Sequence, residues 1–191
     1  MAMVDSTIPY GEDRLAQMAD YSLRRYGERS ASLSPRAIVV HFTESGDDPW
    51  ETINFFASNQ PNAGTYPGVC THFVIDKAGT VFSLVATDTR CRHTVWLNHV
   101  ALGIEMVQST EGHSAQWADS QILARTPQMD ALLTLIRQLQ EQFSIPTDRV
   151  TGHGVANDDP DFKDLTGMRN DHVDIGPDAV AEIRRRLTEG G

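Results

Sequence analysis

Two short apolar runs constrain this chain more than any other feature. Ala37-Ile38-Val39-Val40-His41-Phe42 and Leu102-Gly103-Ile104-Glu105-Met106-Val107 are continuous rather than alternating, and each carries one ionisable side chain. Runs of this kind suit strands buried on both faces of a sheet, which in turn need covering layers on both sides. The flanking segments supply helices. Residues 11–27 place Leu15, Met18, Ala19 and Tyr26 at helical spacing and stop at Gly27. Asp48-Pro49-Trp50-Glu51 combines an N-cap acid, Pro at the first helical position and a capping-box Glu, opening a helix through Ile53 and Phe56. Residues 126–143 carry Met129, Leu132, Leu133, Ile136, Leu139 and Phe143 on one face, and Gly176-Pro177 opens a last helix with Val180, Ile183 and Leu187 inward. Lys77-Ala78-Gly79 joins residues 72–76 and 80–85 as a hairpin, and Arg149-Val150-Thr151-Gly152 is a short strand. Residues 28–35, 59–68, 108–119 and 157–176 read as polar connections. Strands interleaved with helices make one α/β domain, and 191 residues suffice for a full core.

Charge narrows the partners. Sixteen Lys and Arg against 26 Asp and Glu leave a net charge of −10, which disfavours binding to nucleic acid or to acidic lipid. No apolar run approaches the roughly 20 residues of a membrane span. Met1-Ala2-Met3-Val4-Asp5 lacks a basic region followed by an apolar stretch, so no signal peptide is expected. Cys70 and Cys91 form no CxxC pair; they are either small buried residues or one disulfide, which would imply an oxidising compartment.

Chemistry points to the histidines. His41 sits at the end of a buried strand, where imidazole is costly unless paired or bound to metal. His153 follows a second strand and lies between two glycines that leave its ring unobstructed, and Arg169-Asn170-Asp171-His172-Val173-Asp174 offers an imidazole and two carboxylates. Two histidines and one carboxylate form a zinc set with a fourth position open. Glu105 is either a general base or the partner of a buried cation such as Arg92. His72 reads as structural, and His99 and His113 as surface residues. The acidic stretch 158–178 lacks the EF-hand pattern of a Ca²⁺ loop.

Five segments in order resemble the zinc-dependent N-acetylmuramoyl-L-alanine amidases of type 2, a family that includes phage T7 lysozyme-like amidases and peptidoglycan recognition proteins. Ile38-Val39-Val40-His41-Phe42-Thr43 resembles the strand with the first zinc histidine. Thr71 to Val81 resembles the family's His-aromatic-Val-Ile-Asp-x-x-Gly-Thr hairpin. Arg92-His93-Thr94 with Asn98 is similar to the groove segment, Gly103-Ile104-Glu105 to the Gly-Ile-Glu strand, and Thr151-Gly152-His153 to the second zinc histidine's motif. The resemblance implies a single domain with a central mixed β-sheet flanked by helices, residues 1–35 being a helical extension packed on a catalytic domain of residues 36–191.

It also implies a reaction: zinc-dependent hydrolysis of the amide between N-acetylmuramic acid and L-alanine of the peptidoglycan stem peptide. His41, His153 and Asp174 would hold Zn²⁺. The family places a basic residue, usually Lys, two positions before its third ligand, and His172-Val173-Asp174-Ile175-Gly176-Pro177 fits that frame with His172 in the Lys place. Asp171 and His172 stay open as alternative ligands. Glu105 would act as general base, because Thr71 stands where some members use a Tyr, and His172 would stabilise the oxyanion as the family's Lys does. His93, Asn98 and Thr71 would contact a peptidoglycan or muropeptide substrate. The implied enzyme is a monomer acting at the cell wall after export, or else as a phage lysin or a cytoplasmic recycling amidase. A non-catalytic peptidoglycan-binding module is the alternative reading. A zinc peptidase is disfavoured because no His-Glu-x-x-His occurs.

Overall fold

The computed structural model describes residues 2–190. Strands β1 (Ala2–Asp5), β2 (Ala37–Phe42), β3 (Phe73–Ile75), β4 (Thr80–Ser83), β5 (Ala101–Met106) and β6 (Val150–Gly152) form one sheet in the order β1-β4-β3-β5-β2-β6. Only the β3–β4 hairpin pair is antiparallel, so the sheet is mixed, as expected. The two apolar runs are its centre: every residue of β2 and of β5 is buried.

Because side chains alternate along a strand, these two strands divide their residues between two layers. Ile38, Val40, Phe42, Leu102, Ile104 and Met106 join one core with Met129, Leu132, Ile136 and Ile183. That layer is built by α3 (Ala115–Ala124), α4 (Thr126–Phe143) and α5 (Pro177–Glu189). Prolines in the first turns of α4 and α5 stand where a missing N–H costs nothing. The opposite face receives Ala37, Val39 and Ala101, packed with Trp96, Leu97 and Val100. His41 and Glu105 share this second face, directly opposite each other in the parallel register. Gly103 lies between Ala101 and Glu105 on that face, and a Cβ there would come within 2.7 Å of the His93 ring.

The second face is covered by α2 (Pro49–Ala57), the segment after β4, and α1 (Glu12–Tyr26). Helix α1 stops at Gly27, whose left-handed φ of 76° lets its N–H reach the Leu23 carbonyl. Met18, Tyr21 and Tyr26 form the buried stripe of α1. Arg14 is also buried; its guanidinium donates to the carbonyls of Phe56 (2.8 Å) and Val69 (3.3 Å) and lies over the Tyr10 ring. Arg92 does the same for the Thr65 and Pro67 carbonyls, both at 2.8 Å, while resting on Tyr21. Two cations thus hold the last turn of α2 and the loop after it by their carbonyl groups. Cys70 and Cys91 are bonded, tying that loop to the segment carrying His93.

Two elements depart from the sequence reading. Residues 1–35 are more than a helical extension, since β1 adds an edge strand beside β4. Its four residues are all exposed, so no burial pattern marks them. Helix α3 occupies part of the expected connection. It buries only Ala118, Asp119 and Ile122, too narrow a stripe to stand out in a polar sequence.

Denatured, unreduced protein should titrate with no free thiol. Replacing both cysteines by Ser should cost about 3 kcal/mol from loop-closure entropy across the 21-residue separation. A shift below about 1 kcal/mol from the urea midpoint would refute that assignment of stability. Gly103→Ala should cost roughly 1–3 kcal/mol by overpacking against His93, and an unchanged urea midpoint would show that the contact yields freely.

Candidate metal centre

Strand β6 runs parallel beside β2, with Val40 opposite Gly152, so the residue after β6 emerges next to the end of β2. The His41 and His153 rings meet there, their Nδ1 atoms 3.1 Å apart. Asp174 arrives from the loop before α5, its Oδ1 3.1 Å from His153 Nδ1 and its Oδ2 3.4 Å from His41 Nδ1. One ligand atom from each residue lies within 4.8 Å of the others. Of the three candidates for the third position, the structure brings Asp174 into this set. Asp171 stays exposed, and His172 stacks its ring on His153 at 4.0 Å.

The hydrogen bonds behind the set fix one ring's proton. His93 Nε2 lies 3.1 Å from the Ala101 carbonyl, which can only accept, so that nitrogen carries hydrogen. His93 Nδ1 is then an acceptor, 3.1 Å from His41 Nε2 and 3.0 Å from the Thr94 hydroxyl. The Thr94 hydroxyl is itself 3.2 Å from His41 Nε2. Hydrogen on His41 Nε2, given to either of these acceptors, would turn a bare Nδ1 lone pair toward His153 and Asp174. A first-row metal requires this arrangement of an imidazole, with the far nitrogen oriented by a neighbour.

Electrostatics reinforces it. Burial pushes His41 down to about 4, helped by His153 and opposed by Asp174. Burial, then the neighbouring His41 and His72, hold His93 well below the usual imidazole value. Burial alone would raise Asp174, but the hydrogen bonds and charge of His153 and His41 reverse this and keep the carboxyl below its ordinary range. At neutral pH a carboxylate therefore faces neutral His41, a donor set suited in charge and in ligand type to zinc.

Glu105 stands over this set from β5. It is 8% exposed, and burial followed by the Asp174 charge raises its carboxyl well above the usual range. Among the described residues it makes no ion pair, and Arg92 is engaged with loop carbonyls instead. His172 is mostly exposed, with Nδ1 3.7 Å from Asp174 Oδ1. Burial and His153 lower its pKa.

These residues open into a cleft of about 720 Å³. Its walls are the end of β2 with Glu44 and Ser45, α2 with Thr52 and Phe55, the Val69–Thr71 segment, and Asp171 to Asp174. Thr71 lines the cleft while its hydroxyl donates to the Phe73 carbonyl. His93 forms part of the floor. Asn98 does not reach the cleft: it is fully buried, and its Oδ1 accepts from the His93 and Thr94 backbone N–H groups. Its place in the sequence could not separate these roles, because both put it beside His93. His72 is structural: its Nδ1 accepts from Gly103 N–H, and Nε2 donates to the Thr89 carbonyl. His99 is not a surface residue, since it stacks on Tyr26 at 4.4 Å.

The same arrangement can be compared with known proteins. The solution structure of the PlyG catalytic domain superposes with a TM-score of 0.56 at 13% identity, covering 100% of this chain and 95% of that one. The endolysine N-acetylmuramoyl-L-alanine amidase LysCS from Clostridium intestinale URNW gives 0.54 at 21% identity, with 82% and 85% covered. The catalytic domain of XlyA gives 0.53 at 18%, with 80% and 84% covered. These likenesses show the shared fold. No curated protein sequence matches the chain significantly. The family model for N-acetylmuramoyl-L-alanine amidase, however, matches residues 31–172, well over half the chain, and with it the strands that carry His41, Glu105 and His153. The chain belongs to the N-acetylmuramoyl-L-alanine amidase family.

Proposed function

We propose that the protein is a zinc-dependent peptidoglycan amidase in which His41, His153 and Asp174 hold the metal, Glu105 moves the proton and His172 steadies the oxyanion. Family membership supports the reaction, hydrolysis of the amide between N-acetylmuramic acid and L-alanine. The observation that carries the metal is the convergence of one ligand atom each from His41, His153 and Asp174 within 4.8 Å of one another. Held there, zinc would polarise the scissile carbonyl and acidify the attacking water.

The chain's own residues account for the rest. Burial and the Asp174 charge raise the proton affinity of Glu105, the direction a proton-shuttling carboxyl needs. It takes the proton of the attacking water and returns it to the departing alanine nitrogen, so that the leaving group departs as a neutral amine. His172, at the rim, donates to the carbonyl oxygen as negative charge grows on it. Phe55 on one wall and Val173 on the other give the cleft apolar edges. With Glu44, Glu51 and Asp171 also lining it, the site gains nothing from the charge of an anionic wall. All ligands come from one chain, in keeping with a monomer. The complete set of ligands opposes a purely binding module. The disulfide favours an oxidising compartment, which supports action at the cell wall, after export or as a phage lysin.

Metal analysis with mass analysis of products from defined muropeptides tests the reading. A stoichiometric zinc and chelator-sensitive release of stem peptide are expected; no zinc and no release would overturn it. Glu105→Gln should keep the metal and lower kcat by about 100- to 10,000-fold. His172→Ala should cost about 100-fold, with His172→Lys restoring most of it, in assays at saturating zinc. Because Glu105 is raised in the folded state, the stabilisation from its proton is full below the ordinary carboxylate range and is lost as pH rises through the raised value. Urea unfolding of metal-free protein should show the parent losing stability relative to Glu105→Gln over that interval.

A further inference from the structure

We propose that Asp119, a residue of α3 outside the ligand set, is a positioning residue that fixes where Asp174 presents its oxygens. The inference rests on the metal reading above. Asp174 stands at the start of a strained turn: Ile175 has a φ of +53°, a left-handed conformation that β-branched side chains avoid. Its side chain is nevertheless buried in the helical core layer, so it cannot relax without unpacking. Something must hold the backbone there. Asp119 reaches across from α3 with both oxygens: Oδ1 accepts from Ile175 N–H at 3.1 Å and Oδ2 from Gly176 N–H at 2.9 Å.

The other side of the turn is held as firmly. The Asp174 carbonyl accepts from Gly154 N–H at 2.7 Å, next to His153. Gly152 leaves the Ile175 carbonyl room to approach β6, where a Cβ would stand 2.0 Å from it. The peptide that follows Asp174 is thus held at its carbonyl by Gly154 and at its N–H by Asp119, and of these two holds Asp119 supplies the one made by a side chain. Asp119 is 7% exposed and forms no ion pair among the described residues, so its two amide bonds are its whole employment. Here the two N–H groups meet different oxygens of one carboxylate, so an amide placed in the same pose accepts from one and presents a donor to the other. Outer-shell groups that orient a ligand commonly govern metal affinity by factors of about 10 to 100.

The test is the zinc affinity of purified, folded protein by competition with a chromogenic chelator, for the parent, Asp119→Asn and Asp119→Asn with Ile175→Gly. Asp119→Asn should weaken zinc binding about tenfold while KM for a muropeptide at saturating zinc stays unchanged. Glycine at 175 removes the left-handed penalty and should recover part of the loss. A Kd for Asp119→Asn within twofold of the parent, whatever happens to its melting temperature, would overturn the inference and leave Asp119 a purely structural residue. A weakened variant that glycine fails to improve would overturn the strain argument on which it stands. A parent chain that binds no zinc would overturn the metal reading and this inference with it.

Discussion

The pairing of β2 with β5 governs the rest of the molecule. In that register His41 stands opposite Glu105, and both face away from the helical layer. A slip of one residue would turn the imidazole and the carboxylate into a layer of Leu, Ile and Met, where neither could find a partner. The apolar partners on either side of them, Val40 and Phe42, Ile104 and Met106, therefore do two things at once. They drive the sheet into its sandwich of layers, and by doing so they aim two reactive groups at the same cleft. Stability and chemistry are here consequences of one alternation.

Around that pairing the protein holds several imidazoles close together without letting them charge. His72, His93 and His41 are each pushed down by burial, and their protons are committed to carbonyls or to one another. Gly103 makes this possible by letting the His93 ring lie flat against the sheet between Ala101 and Glu105. Asp174, held below its ordinary range by His153 and His41, keeps its negative charge where the three side chains converge, the charge a divalent cation would neutralise.

Much of this was legible from the residues. A histidine ending a buried run, a glutamate inside another, and a Gly-His-Gly after a short strand each break a local expectation, and such breaks tend to mark sites. The third ligand was harder, because Asp171, His172 and Asp174 differ only in how an irregular loop folds, and that depends on contacts with β6 and α3. Helix α3 itself gave too weak a stripe to be seen, and with it the role of Asp119 was hidden. Strand β1 carries no burial signal at all; its place follows from hydrogen bonds to β4 that no local pattern encodes.

The two guanidiniums that grip the end of α2 and the loop after it set the size of the indivisible folded unit. Family similarity spans residues 31–172, yet Arg14 lies before that span and supports the same wall that Arg92 supports from within it. Asp174 lies just beyond its other end. The span matched by the family model is therefore smaller than the object that physics assembles: the amino-terminal helix braces the cleft wall, and the approach to the last helix supplies Asp174 to the His-His-Asp set.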